Sequence, residues 1–225
     1  MQPTNLLILF SDEHTRRALG CYGHPLVQTP NLDRLAARGS RFTQAYCPSP
    51  ICVPSRASLA TGRYVHTIRY WDNAHPYDGA MPSWGHRLLA QGHRVTAIGK
   101  LHYRSSKDAN GFSEEILPLH VVDGAGDLSG LIRDELLVRK KNRAYITGAG
   151  AGESSYTEYD RKITAAGIRW LREDAPRYHD KPWVLFVSLV CPHYPLIAPP
   201  EFFNLYPLAD MPLPIQGTPQ TWPTH

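Results

Sequence analysis

Three short stretches, residues 6–10 (Leu-Leu-Ile-Leu-Phe), 95–98 (Val-Thr-Ala-Ile) and 183–190 (Trp-Val-Leu-Phe-Val-Ser-Leu-Val), carry no charged residue and stand far apart in the chain. The runs at 6–10 and 183–190 predict central strands covered on both faces, because half-exposed strands would alternate polar and apolar positions, and 95–98 reads as a further strand. Segments with helical spacing lie between them, and strands alternating with helices form a mostly parallel α/β sheet. Each run ends in polar residues: Ser11-Asp12-Glu13-His14 after the first, Gly99-Lys100-Leu101-His102 after the second and Cys191-Pro192-His193 after the third. Open α/β sheets place their ligands at the carboxyl ends of their strands, so the fold class already states where the chemistry should gather.

The helical segments are marked by their ends. Residues 30–38 open on Pro30, put Leu32, Leu35 and Ala36 on one face and stop at Gly39. A second helix is predicted over 54–60, a third over 82–90 closed by Gly92, and a longer amphipathic one over 156–172 with Ile163, Ala166, Ile168, Trp170 and Leu171 as core candidates. Residues 103–155 are less regular and include the basic run Arg139-Lys140-Lys141 and the glycines from Gly148 to Gly152. They read as an irregular excursion over the site rather than a second domain. From Pro199 onward a proline-rich, extended tail is expected, and residues 1–225 form one unit.

Composition narrows the partners. A formal net charge of +4 with scattered Lys and Arg gives no basic stripe for nucleic acid, yet would not repel an anion. No apolar window is long enough to span a bilayer, so no membrane partner is expected. Leu6 follows the first residues with no basic n-region and no small-residue cleavage site, so no secretory signal is visible. The four cysteines at 21, 47, 52 and 191 lack CxxC spacing, which makes zinc a poor reading and a reducing, cytoplasmic location the expectation. Cys21, Cys47 and Cys191 are expected to be core thiols. Oligomeric state is not legible.

The chemistry concentrates in Cys52-Val53-Pro54-Ser55-Arg56, followed by Leu59-Ala60-Thr61-Gly62-Arg63. With a helix opening near Pro54, Cys52 sits by the free N–H groups at its positive end, and Arg56 projects towards the same space. An anion held there meets a dipole and a fork of donors, which suits a tetrahedral oxyanion.

This pattern resembles the signature of the type I sulfatases, members of the alkaline phosphatase superfamily. Asn5 to Asp12 resembles the family's first strand, Thr29 to Leu35 its next helix, and Gly92 to His102 its second signature, with His93 and Leu101 replacing the usual aromatics. Trp71-Asp72-Asn73 resembles a segment that supplies a substrate-side amide, and Pro192-His193-Tyr194-Pro195 a later block. The resemblance implies an alkaline-phosphatase-like sandwich with a mostly parallel central sheet, incomplete at the C-terminus, because the family's remaining metal ligands lie in a later half. The chain thus resembles the N-terminal portion of a longer enzyme.

The resemblance also implies the chemistry. A formylglycine-generating maturation enzyme oxidises Cys52 to an aldehyde whose hydrate attacks a small-molecule sulfate ester. Asp12 and Cys52 would hold a divalent metal, Ca2+ ahead of Mn2+ or Mg2+, with Glu13, which stands where many members carry a second Asp and others a non-ligating Gln, equally a ligand or a bystander. Arg56 and Lys100 would offset charge, His193 would protonate the leaving alcohol, and His102 would help release sulfate. Asn73, Lys100 and His193 would contact substrate. Histidine suits proton transfer because its ordinary pKa lies near neutrality. Two alternatives remain open: a phosphonate monoester or phosphodiester hydrolase with the same nucleophile, and an inactive fragment or pseudoenzyme lacking the C-terminal metal ligands. Taken without the resemblance, each histidine is equally a structural residue, and Asn73 equally a turn residue.

Overall fold

Strands β1 (Leu6–Ser11), β2 (Arg94–Lys100), β3 (Glu114–Leu119) and β5 (Trp183–Leu189) form one sheet in the order β1-β5-β2-β3, and every neighbouring pair is parallel. Strand β4 (Gly150–Ala151) pairs separately with β6 (Ile197–Ala198). The helices are α1 (Pro30–Ala37), α2 (Cys52–Thr61), α3 (Val65–Ile68), α4 (Trp84–Ala90), α5 (Ser155–Arg169) and α6 (Pro200–Phe203). The computed structural model describes residues 4–126 and 147–213, and the basic run at 139–141 lies outside them.

The period of two along the strands sends successive side chains to opposite faces and builds two cores. On one face Ala97 and Phe186 pack with Val53, Ala57 and Ala60 of α2 and with Tyr70, Tyr77, Leu101 and Tyr103. On the other, Ile98, Leu185 and Val187 pack against Ile163 and Ala166 of α5 and against Trp170. Helices on both faces of a parallel sheet are the layer pattern that the alternation of elements predicts. The predicted strand and helix cores at 95–98, 183–190, 82–90 and 156–172 all lie within or across observed elements. Beyond Arg169 the helix widens into a π turn, Trp170–Asp174, and then tightens into a 3-10 turn, Ala175–Arg177.

Several expectations need correction. Strand β1 is an edge strand among the described residues: Ile8 and Phe10 pack on the first core, while Leu7 and Leu9 stay exposed. The shared face of α1 is open, with no buried residue. Ile168 is 45 % exposed because it lies off the stripe formed by Ile163, Ala166 and Trp170. Cys47 is an exposed thiol, whereas Cys21 and Cys191 are part-buried. The region 103–155 contributes β3 to the sheet; its Pro118 and paired glutamates mask the strand in the sequence, yet both are tolerated at a sheet edge. The tail after Pro199 begins with α6 rather than extended chain.

One glycine fixes the geometry of the site. Gly99 has φ +96°, and a Cβ there would stand 2.3 Å from the Ser188 carbonyl oxygen and 2.7 Å from Ile163 Cδ1. The β2–β3 register shifts between Ile98 and Lys100 at this point. A bulge of this kind re-aims the following side chain, here Lys100.

Candidate active site

The carboxyl edge of the sheet gathers the predicted residues. Asp12 follows β1, Lys100 ends β2, His102 lies two residues on, and His193 lies in the turn after β5. Helix α2 points its first turn at the same edge. It begins at Cys52 rather than at Pro54, so Pro54 is its third residue. That position still forfeits no intrahelical bond, since the first four N–H groups of a helix have no partner within it. Cys52 and Arg56, four apart, share one face.

The charged centre is buried. Lys100 Nζ donates to Asp12 Oδ2, and Arg56 Nη2 stands 3.5 Å from the same oxygen. Arg56 is itself buried, with Nη1 donating to the Lys100 carbonyl at 2.6 Å and to Ser188 Oγ at 3.1 Å. Its guanidinium carbon lies 5.1 Å from the centre of the Phe10 ring. Burial alone would raise the Asp12 carboxyl, but Arg56 and Lys100 outweigh it and hold the group below its ordinary value. The edge therefore keeps a carboxylate charged between two buried cations.

Asp12, Cys52 and His193 each bring a ligand atom to within 4.8 Å of the others. Glu13, in the left-handed region at φ 60°, places Oε1 3.6 Å from His193 Nε2 while staying largely open to solvent. The other ring nitrogen of His193, Nδ1, is 2.7 Å from the Tyr194 carbonyl oxygen. A carbonyl only accepts, so Nδ1 carries the hydrogen and Nε2 is left facing the cluster. The carboxylates of Asp12 and Glu13 are the oxygen donors a hard divalent cation prefers. The ammonium already seated on Asp12 shows that a positive charge is accommodated there.

Burial pushes the Cys52 thiol up, and the pull of Lys100 and Arg56 does not overcome it. A thiol in that state keeps its proton at neutral pH and is a poor thiolate nucleophile. Burial, then Lys100 and Arg56, push the His102 imidazole down to about 4. It sits in the left-handed region at φ 57° with a buried Nδ1 that has no hydrogen-bond partner. Asn73 Oδ1 accepts from the Val53 N–H at 2.9 Å, capping α2 beside Cys52. Its carbonyl is thus committed to the helix, and its amide hydrogens remain the group that could face a substrate.

The structure brings all eight predicted residues to this edge, and it adds one that the sequence reading passed over. Ser188, fully buried in β5, anchors Arg56. Its signal was a lone hydroxyl in an otherwise apolar strand, which needs a partner when buried. Arg63, which closes the motif, accepts a hydrogen bond at its backbone carbonyl from Ser58 Oγ at 2.6 Å.

The chain is similar to known proteins over most of its length. The chain is 29 % identical over 213 residues to choline-sulfatase of Rhizobium meliloti (strain 1021), covering 90 % of this chain and 41 % of that protein. It is 28 % identical over 206 residues to human arylsulfatase K, covering 89 % of this chain and 35 % of the relative. Among solved structures, the phosphonate monoester hydrolase of Agrobacterium radiobacter superposes with a TM-score of 0.68 at 25 % identity, over 94 % of this chain and 45 % of the other. The chain therefore spans about two fifths of the length of such relatives. The Sulfatase family model matches residues 4–216, which takes in every strand of the sheet and each residue at its carboxyl edge, so the chain belongs to the sulfatase family.

Proposed function

We propose that the complete enzyme of which this chain is a part hydrolyses sulfate monoesters of small molecules, with residue 52 as the nucleophile. The observation that carries this reading is the placement of Cys52 at the first turn of a buried helix, within 4.8 Å of the ligand atoms of Asp12 and His193. The Cys52 sulfur marks the position of the nucleophilic oxygen, since the buried thiol itself is held protonated. Oxidation of Cys52 to formylglycine by a maturation enzyme would supply a hydrated aldehyde there. A divalent metal held by Asp12 and Glu13, Ca2+ ahead of Mn2+ or Mg2+, would supply Lewis acidity and lower the pKa of a bound hydroxyl.

The chain's own residues divide the remaining work. Lys100 offers a fixed positive charge to sulfuryl oxygens as negative charge develops on them. Arg56, behind Asp12, holds the Lys100 backbone and keeps the Asp12 carboxylate charged and oriented. The Asn73 amide binds a sulfuryl oxygen from the start of α2. His193 acts in its imidazolium form: with Nδ1–H fixed on a carbonyl, it delivers the proton on Nε2 to the leaving oxygen and is left as the neutral Nδ1–H imidazole. His102, kept neutral by burial and its cationic neighbours, accepts a proton as sulfate departs.

The similarity to a phosphonate monoester hydrolase supports a second reading, in which the same donors receive a phosphonate ester. Tetrahedral sulfuryl and phosphoryl groups ask for nearly the same contacts. Parallel initial rates of the full-length enzyme, produced with its maturation enzyme, on an aryl sulfate and an aryl phosphonate monoester separate the two. A clear preference for the sulfate is expected; a strong preference for the phosphonate would overturn the sulfatase reading.

A further inference from the structure

Helix α5 reaches past the sheet and grips the turn that carries His193. Positions 156, 160, 163 and 167 recur at helical spacing and form one face. Ile163 and Gly167 of this face lie on the sheet, where Ile163 is fully buried and Gly167 stands against Val187. The same face continues beyond the carboxyl ends of the strands as Asp160 and Tyr156. There Asp160 Oδ1 accepts from the Val190 N–H at 2.7 Å and Oδ2 from the Cys191 N–H at 2.8 Å. The His193 N–H in turn donates to the Val190 carbonyl at 3.0 Å, and the Tyr156 ring meets the His193 imidazole edge-on with centroids 5.9 Å apart.

We propose that Asp160 is a positioning residue for proton transfer: by clamping two successive N–H groups at the end of β5, it fixes where His193 Nε2 stands relative to the leaving oxygen. This rests on His193 as the proton donor. Two adjacent backbone donors converge on this side chain, and a carboxylate is the group that accepts with both of its oxygens. An amide would present one oxygen and one NH2, setting donor against donor at one of the two N–H groups. The turn would then shift, and proton transfer is sensitive to displacements of about 1 Å.

Asp160→Asn and His193→Ala in the full-length, matured enzyme test this, alone and combined. The readout is kcat/KM on 4-nitrophenyl sulfate, whose leaving group needs little protonation, and on a simple alkyl sulfate, whose leaving group needs it fully. Asp160→Asn is expected to lose about 10-fold more on the alkyl ester than on the nitrophenyl ester. It is also expected to add no further split in the His193→Ala background. Equal losses on both esters, with the split retained in His193→Ala, would overturn the role of Asp160 and leave that of His193 standing. Absence of any split in His193→Ala would overturn both. Should Asp160→Asn not fold, Asp160→Glu, which keeps two acceptor oxygens but moves them by one methylene, carries the same comparison with the same two outcomes.

Discussion

Helices α1 and α2 look alike in the sequence and differ in what surrounds them. Each has a proline in its first turn, and they run for eight and ten residues. Helix α1 has the cleaner apolar stripe, yet Leu32 and Leu35 stay exposed and none of its residues is buried. Helix α2 has small residues on several sides and buries Val53, Pro54, Arg56, Ala57, Ser58 and Ala60. Small side chains let a helix settle closely on a sheet, and close packing is rigid. The difference teaches that a stripe names the face a helix offers, whereas the neighbours decide how firmly the helix is held. Cys52 and Arg56 sit on the one that is held.

The largest effect that could break this contrast is on catalysis. Lys100→Ala removes the ammonium from Asp12 and from the proposed sulfuryl site, and kcat of the matured full-length enzyme should fall by roughly 10²–10³. Arg34→Ala on α1, whose guanidinium pairs with Asn31 on the exposed surface, should leave kcat unchanged. Comparable losses from both substitutions would erase the distinction. Stability offers the next test. Ala57 is completely buried, so Ala57→Leu should cost about 1–3 kcal/mol in a denaturant titration. Leu35 is 57 % exposed, and Leu35→Ala should change stability by no more than about 0.5 kcal/mol.

The smallest effect sharpens the electrostatics beside α2. Burial and the neighbouring cations hold the His102 imidazole near 4 rather than at its ordinary 6.5. As pH falls through 6.5, the unfolded chain takes up a proton there that the folded chain refuses until near 4. His102 thus lowers stability as pH falls across that window, and its contribution is fully favourable only above it. An NMR titration of the imidazole should show a midpoint near 4, and a midpoint near 6.5 would show that burial and these cations do not act on it.

Much of this was legible before the fold. Uncharged runs marked β2 and β5, and the polar residues that follow β1, β2 and β5 marked the edge where the site forms. What stayed hidden depends on contacts between distant segments. The exposed face of β1 could not be read from Leu6 to Phe10, because an apolar run states only that cover is wanted. Strand β3 was masked by Pro118, which an edge tolerates. The turn of Lys100 onto Asp12 follows from a bulge at Gly99 that is set by Ser188 and Ile163, far away in sequence. Ile168 reads as core beside 163, 166 and 170, yet the helix turns it outward. The grip of Asp160 on the end of β5 joins two elements that no local pattern connects.

The central claim is that residue 52, no longer a cysteine, is the nucleophile of a sulfate ester hydrolase. Its most direct test is the intact mass of the tryptic peptide spanning residues 42–56 from active full-length enzyme produced with the maturation system. The account predicts a peptide lighter by the difference between a thiol and an aldehyde, in a fraction that rises in proportion to specific activity on an aryl sulfate. Full activity in enzyme whose peptide carries only the thiol would contradict it.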